Sequence, residues 1–310
     1  MFARRFAIIG LVIAFAGIAG GVFAGRSDAA PAAGDVTELD LGTGRFLDAD
    51  TGIGSHEEIV AFFTERVANR PNDHISATNL SAALTAQARH DGDLELYERA
   101  EAAARAALAI SPDDVAARLQ LATALQAQHD FADALAIGQA VLADDPSSID
   151  AVYVIGDAHF EMQNYDLASI EYDRLEAEGR HAAVVARLAR LASATGDDDR
   201  AVDLSREALE LSTAFSLRPH GRAYYHFQLG HHLFKAGAVD EALDALADAF
   251  EIAPDHLGTI EELATVNAAI GEPEAIVELH GRLAVDEQDH LVEFLSTRAP
   301  KIAEQLATAS

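Results

Sequence analysis

Thirteen histidines and an excess of acidic side chains are the residues of this sequence that could do chemistry. The densest group is His220, His226, His231 and His232. Two imidazoles that share a metal from one helix need a spacing of three or four residues, so that both lie on one face. His226 stands five residues before His231 and six before His232, by subtraction, and the adjacent pair diverges by about 100° around a helix. No His-Glu-x-x-His occurs. Asp286 and His290 have helical ligand spacing, but a lone pair of that kind is ordinary. Asp48-x-Asp50-x-Gly52 begins like a calcium loop, yet Ile53 stands where the turn glycine belongs and Ile59 where a closing glutamate belongs. No metal and no cofactor is expected.

Catalytic constellations are missing too. No Gly-x-Ser-x-Gly elbow and no Gly-x-x-x-x-Gly-Lys phosphate loop is present. The chain has no cysteine, which excludes disulfides, thiolate ligands, thiol catalysis and a lipidated-cysteine anchor. Paired carboxylates such as Asp113-Asp114 and Asp197-Asp198-Asp199 fall at turns and helix starts. There they cap backbone N–H groups and complement the helix dipole. A formal net charge of −29 repels phosphate backbones, so nucleic acid is not an expected partner. The sequence reads as non-catalytic.

The elements behind these residues are helical. Alanine makes up about a fifth of the chain, aromatics 6%, and tryptophan is absent. Alanine is the best helix former and permits close helix packing, whereas strands need more β-branched and aromatic residues. Ser55 and Glu58 make a capping-box pattern ahead of the apolar stripe Ile59, Phe62, Phe63, Val67, which starts the folded part.

From there the chain repeats. A small residue recurs at Ala122, Gly156, Ala189, Gly230 and Ala264, with steps of 34, 33, 41 and 34 by subtraction. An alanine that opens a second helix recurs at Ala134, Ala168, Ala201 and Ala242 with steps of 34, 33 and 41. Turn signals precede each of these alanines, and Pro112, Pro146 and Pro254 close units. This pattern resembles the tetratricopeptide repeat (TPR), over about residues 73–290. It also resembles a group of exported bacterial TPR proteins of unknown function, through Glu101, Ser111-Pro112, His129-Asp130-Phe131 and Gly156-Asp157-Ala158. The resemblance implies an all-α fold, a right-handed α-solenoid of antiparallel helix pairs. One pair cannot bury its apolar stripe alone, but stacked pairs can.

The expected organisation is an address segment at 1–29, a flexible linker at 30–54, about six helix pairs over 55–290 and a C-terminal capping helix at 291–310. Arg4 and Arg5 precede an uncharged apolar run, Phe6 to Ala24. It is either a signal peptide, cleaved after Val22-Phe23-Ala24 or Ser27-Asp28-Ala29, or a retained transmembrane anchor. Both place the rest of the chain outside the cytoplasm. About seven extra residues around Ser212–Pro219 should lengthen a second helix or form a loop.

In the TPR family the first helices of successive units line a concave face. Carried onto this sequence, the resemblance assigns to that face Tyr153, Asp157, Phe160, Arg190, Tyr224, Phe227, His231, Phe234 and Lys235. Aromatic and basic side chains in a groove are good anchors for an extended peptide or a partner helix. The same rings could equally pack between helices if the register slips by one residue. The implied function is an extracytoplasmic scaffold for a protein or peptide. The alternative is a structural subunit of an envelope assembly that binds through its convex face or ends.

Overall fold

A computed structural model describes residues 55–213 and 219–309. Among the described residues there are fifteen helices and no strand. They fall into two compact units that meet in sequence between Asn164 and Tyr165. The apolar run Phe6–Ala24, the linker and the calcium-like pattern lie outside the described residues. Within them, no helix is long and apolar enough to cross a membrane.

The first unit contains α1 (His56–Asn69), α2 (His74–Asp91), α3 (Glu95–Ile110), α4 (Val115–Ala127), α5 (Phe131–Asp144) and α6 (Ile149–Glu161). The capping box forms as expected: Ser55 N–H donates to Glu58 at 2.7 Å, and Glu58 N–H donates to Ser55 Oγ at 3.2 Å. Asp73, Asp114 and Ser148 cap α2, α4 and α6 without the reciprocal bond, each side chain accepting from backbone N–H of the first turn. Each satisfies N–H groups that a helix start leaves without an intrahelical acceptor. Phe63, Leu84, Ala88, Leu96 and Ala100 form the core shared by α1, α2 and α3.

The second unit contains α7 (Tyr165–Glu178), α8 (Ala182–Ala194), α9 (Asp198–Ser212), α10 (Pro219–Lys235), α11 (Val239–Ile252), α12 (Leu257–Ile270), α13 (Pro273–Arg282), α14 (Val285–Arg298) and α15 (Pro300–Ala309). α8 pairs with α9, α10 with α11, α12 with α13, and α14 with α15. The C-terminal segment forms two helices that break at Ala299–Pro300. Leu291, Leu295 and Leu306 complete a core with Ile260, Ile276 and Leu279, so the last hairpin covers an apolar end.

The turns inside the pairs follow one geometry. His129, Gln163, Gly196, Gly237 and Gly271 all have positive φ, between 62° and 89°. Their steps of 34, 33, 41 and 34 equal those of the small residues. The amide that follows each left-handed residue bonds back across the turn, as Asp130 to Leu125 (2.8 Å), Asn164 to His159 (2.8 Å), Asp197 to Ala192 (2.9 Å), Ala238 to Leu233 (2.9 Å) and Glu272 to Asn267 (2.9 Å). These are Schellman closures, which need one left-handed residue. Glycine supplies it freely in three units, and a histidine and a glutamine are forced into it in the other two.

The small residues mark helix crossings. A β-carbon on Gly230 would lie 2.6 Å from Leu246 Cγ and 3.1 Å from the Ala242 carbonyl oxygen, so α10 and α11 touch there through backbone. Gly138 plays the same part between α5 and α6, where a β-carbon would lie 3.0 Å from both Val154 and Ile155. Ala122, Ala134, Ala168, Ala189, Ala201, Ala242 and Ala264 are completely buried.

The inserted residues do not lengthen α9 appreciably, which has 15 residues against 14 in α7. They add a turn to the start of α10, which has 17 residues where α4, α6 and α8 have 13. Residues 214–218 lie outside the described part. Pro219 at the first helical position explains the start, since its missing N–H costs nothing there.

Candidate partner-binding surface

The nine side chains assigned to the binding face divide between α6, α8 and α10. On α6, Tyr153 is half-buried, but Asp157 and Phe160 are each only 5% exposed. This corrects their assignment to an open surface. Eight of the thirteen residues of α6 are buried, which leaves little of that helix for solvent.

In the second unit, Arg190 of α8 is half-buried. Tyr224 is 6% exposed and belongs to the interior, where its hydroxyl accepts from Gln228 Nε2 at 2.7 Å. That is a second correction. A buried phenol needs such a partner, which turns the ring inward. Phe234 is half-buried and rests on the core of Val202, Leu229, Leu233 and Ala242.

Lys235 is exposed but committed. Its Nζ donates to Ser193 Oγ at 2.6 Å and to the Ser193 carbonyl at 3.2 Å, with Asp198 at 3.7 Å. The ammonium thereby sits on the C-terminal carbonyls of α8, where the helix dipole favours a cation. Its first task is to tie α10 to the α8–α9 turn.

What remains together is a row on α10. Phe227 and His231 stand four residues apart on one face, with the buried Tyr224 three residues before Phe227. The Phe227 ring lies 6.4 Å from those of Tyr224 and His231, and 5.7 Å from that of His256 at the start of α12. His231 Nδ1 meets Glu262 Oε1 of α12 at 2.9 Å. On the other flank of α12, Glu261 Oε1 meets His290 Nε2 of α14 at 2.9 Å. First helices of successive repeats, α10, α12 and α14, are thus joined side by side through histidine–glutamate contacts, with a half-buried phenylalanine beside them.

The sequence reading did not single out His256, Glu261, Glu262 or His290 for this surface. His256 had a signal, because it precedes Thr259 as Ser148 precedes Ala151. Its Nδ1 accepts from the Thr259 amide at 3.2 Å, as a cap does. The two glutamates carry no spacing that marks them, and the four-residue spacing of His290 from Asp286 does not point to its partner Glu261.

Each histidine of the group His220, His226, His231 and His232 has its own polar neighbour. His220 faces Asp255 (3.3 Å), His226 faces Asp248 (3.7 Å), His231 faces Glu262, and His232 is hydrogen-bonded to Ser205 Oγ (2.6 Å). Burial pushes the His232 imidazole down to about 3 and that of His256 to about 4. Burial also lowers His226, against the pull of Asp248. Desolvation penalises a cationic ring, so His232 and His256 are neutral at pH 7.

A stack of two-helix repeats with small residues at each crossing defines a helical-repeat protein. Residues 125–181 match the family model of the tetratricopeptide repeat. No curated protein matches the chain. Among solved structures, the APC/C hetero-tetramer Cut9–Hcn1 superposes with a TM-score of 0.60 at 14% identity, over 82% of this chain and 46% of that one. This chain therefore spans less than half the length of that relative. A tetratricopeptide repeat protein from Parabacteroides merdae gives 0.55 at 15% identity, over 79% of this chain and 93% of that one. TTC0263, a thermophilic TPR protein of Thermus thermophilus, gives 0.52 at 23% identity, over 63% and 99%. The sequence over 125–181 is thus similar to the tetratricopeptide repeat, and the described helices have a fold similar to that of these solved repeat structures.

Proposed function

We propose that this chain is a non-catalytic extracytoplasmic scaffold that holds a protein or peptide on the first-helix face of its second unit. The observation that carries the reading is Phe227. It is a large ring left half-buried between His231 and His256, beside the polar row that links α10, α12 and α14. An aromatic anchor rimmed by histidine and glutamate suits a segment that inserts an apolar side chain and hydrogen-bonds around it. The repeat fold supports a protein or peptide as the partner. The outward location rests on Arg4, Arg5 and the apolar run that follows, whether cleaved or retained.

The test is a pull-down from native envelope with residues 30–310, repeated with Phe227→Ala and with Phe227 and Phe234 both changed to alanine. A partner kept by the parent and released by Phe227→Ala, at unchanged helical content, supports the reading. Retention by both variants assigns the contact to another face. The second reading, a subunit that binds through its outer surface, is favoured by an exposed aliphatic pair on α7, Leu167 and Ile170.

A further inference from the structure

In α9 and α11 the second helix presents a polar strip to solvent at matching positions of the repeat, and in α5 those positions carry Asp133 and Ala136. The two outward positions one residue before and two after the buried alanine are Arg200 and Asp203 in α9, and Glu241 and Asp244 in α11, all exposed. In α7 the same positions carry Leu167 and Ile170, 46% and 61% exposed. Leucine and isoleucine one turn apart on a solvent face are adjacent, so they form one apolar strip. Nothing in the folding of the unit requires them. The core side of α7 is supplied by Ala168, Tyr172 and Leu175.

The border of the strip is acidic. Asp166 and Asp173 run along one side and Glu171 and Glu178 along the other, at helical angles of about 50° to 90° from the midline of the aliphatic pair. Arg174, half-buried, stands one turn beyond Ile170 and about 10° from that midline, so it ends the aliphatic strip on its C-terminal side with a cation. An apolar strip rimmed by carboxylates selects against a second copy of this chain, which would bring the same acidic rim and a net charge of −29 to the contact. It selects for aliphatic side chains bordered by lysine or arginine.

We propose that the solvent face of α7, centred on Leu167 and Ile170, is a second docking surface, and that its occupant is a basic amphipathic helix of another protein. The contact is independent of the Phe227 surface, which lies on α10. Aliphatic burial supplies the adhesion, and Asp166, Asp173 and Glu178 set the choice of a cationic border.

The probe is a short synthetic helical peptide with leucines at i, i+3, i+4 and i+7 flanked by lysines, and its analogue with glutamates in place of the lysines. Binding to the full chain is read by fluorescence anisotropy at two salt concentrations. The lysine peptide is expected to bind and the glutamate peptide to fail. Leu167→Gln with Ile170→Gln should weaken the lysine peptide about tenfold. Asp166→Asn with Asp173→Asn should weaken it less and flatten the salt dependence. Both pairs are exposed, so helical content and melting should not change, and Phe227→Ala should leave this binding intact. The proposal is overturned if the aliphatic double variant binds the lysine peptide as the parent does. It is overturned equally if both peptides bind alike or neither binds. Sedimentation showing a dimer that Leu167→Gln with Ile170→Gln dissolves would assign the strip to self-association instead.

Discussion

Gly230 of α10 meets Leu246 of α11 so closely that a β-carbon would stand 2.6 Å from Leu246 Cγ, with the Ala242 carbonyl behind it. The leucine is fully buried and has no room to withdraw. Gly230→Ala should therefore destabilise the chain by about 1–3 kcal/mol through overpacking. Leu246→Ala alone should cost about 2–5 kcal/mol, and the double variant less than the sum, because each change relieves the other. Urea unfolding of the four proteins measures the coupling. Strict additivity would mean that the two residues are not in contact.

The left-handed turn residues give a second comparison. Gly237 has φ +82° with open space around its α-carbon, so Gly237→Ala meets no clash and registers backbone strain alone, about 1–2 kcal/mol. Gln163 is held at φ +62°. Gln163→Gly should relieve its strain and gain up to about 1 kcal/mol, less the added freedom of glycine in the unfolded chain. Thermal melts that move the two variants in the same direction would refute the assignment.

His232 links stability to pH. Unfolded, it takes a proton near pH 6.5, but folded only near 3. Between those values the unfolded chain binds more protons. Its contribution is complete above pH 6.5 and is lost as pH falls below it, by up to about 1.4 kcal/mol per pH unit. His256 acts in the same direction, over a window that ends near 4. Stability measured from pH 7.5 to 5 should fall more steeply for the parent than for His232→Gln. Equal slopes would show that the ring is already charged in the folded state.

Lys235 separates a structural role from a binding one. Lys235→Met removes two hydrogen bonds to Ser193 and should cost about 0.5–1.5 kcal/mol. The loss should appear as faster amide exchange at the end of α8. If stability is unchanged while capture of a partner is lost, Lys235 works as a groove cation instead.

The repeat was legible in the sequence because its causes are local or periodic. Ser55 with Glu58, Asp114 and Ser148 mark helix starts by the backbone groups they satisfy. Ala134, Ala168, Ala201 and Ala242 mark the crossings by their steps, since a crossing tolerates only a small side chain. The turn positions occupied by His129 and Gln163 were harder to read, because neither is a residue type that favours a positive φ as glycine does. Gly138 escaped the periodic reading because it belongs to the interface between α5 and α6, from successive helix pairs, and the matching positions of later units carry other residues.

The candidate surface is a different matter. Sequence placed Phe227 and His231 on one face of a helix, since helical spacing decides that alone. It also placed Phe160, Asp157 and Tyr224 outward, and these are buried. Whether a side chain on a first helix faces solvent or a neighbour depends on the angle at which the next helix arrives, which no residue within the unit sets. The partners of His231, His290 and Lys235 lie 31, 29 and 42 residues away in the chain. The sequence by itself determined the helices, their caps and the repeat length, which depend on short-range sterics and hydrogen bonding. Only the tertiary structure decided which polar groups meet between repeats, because those contacts depend on packing between segments distant in the chain.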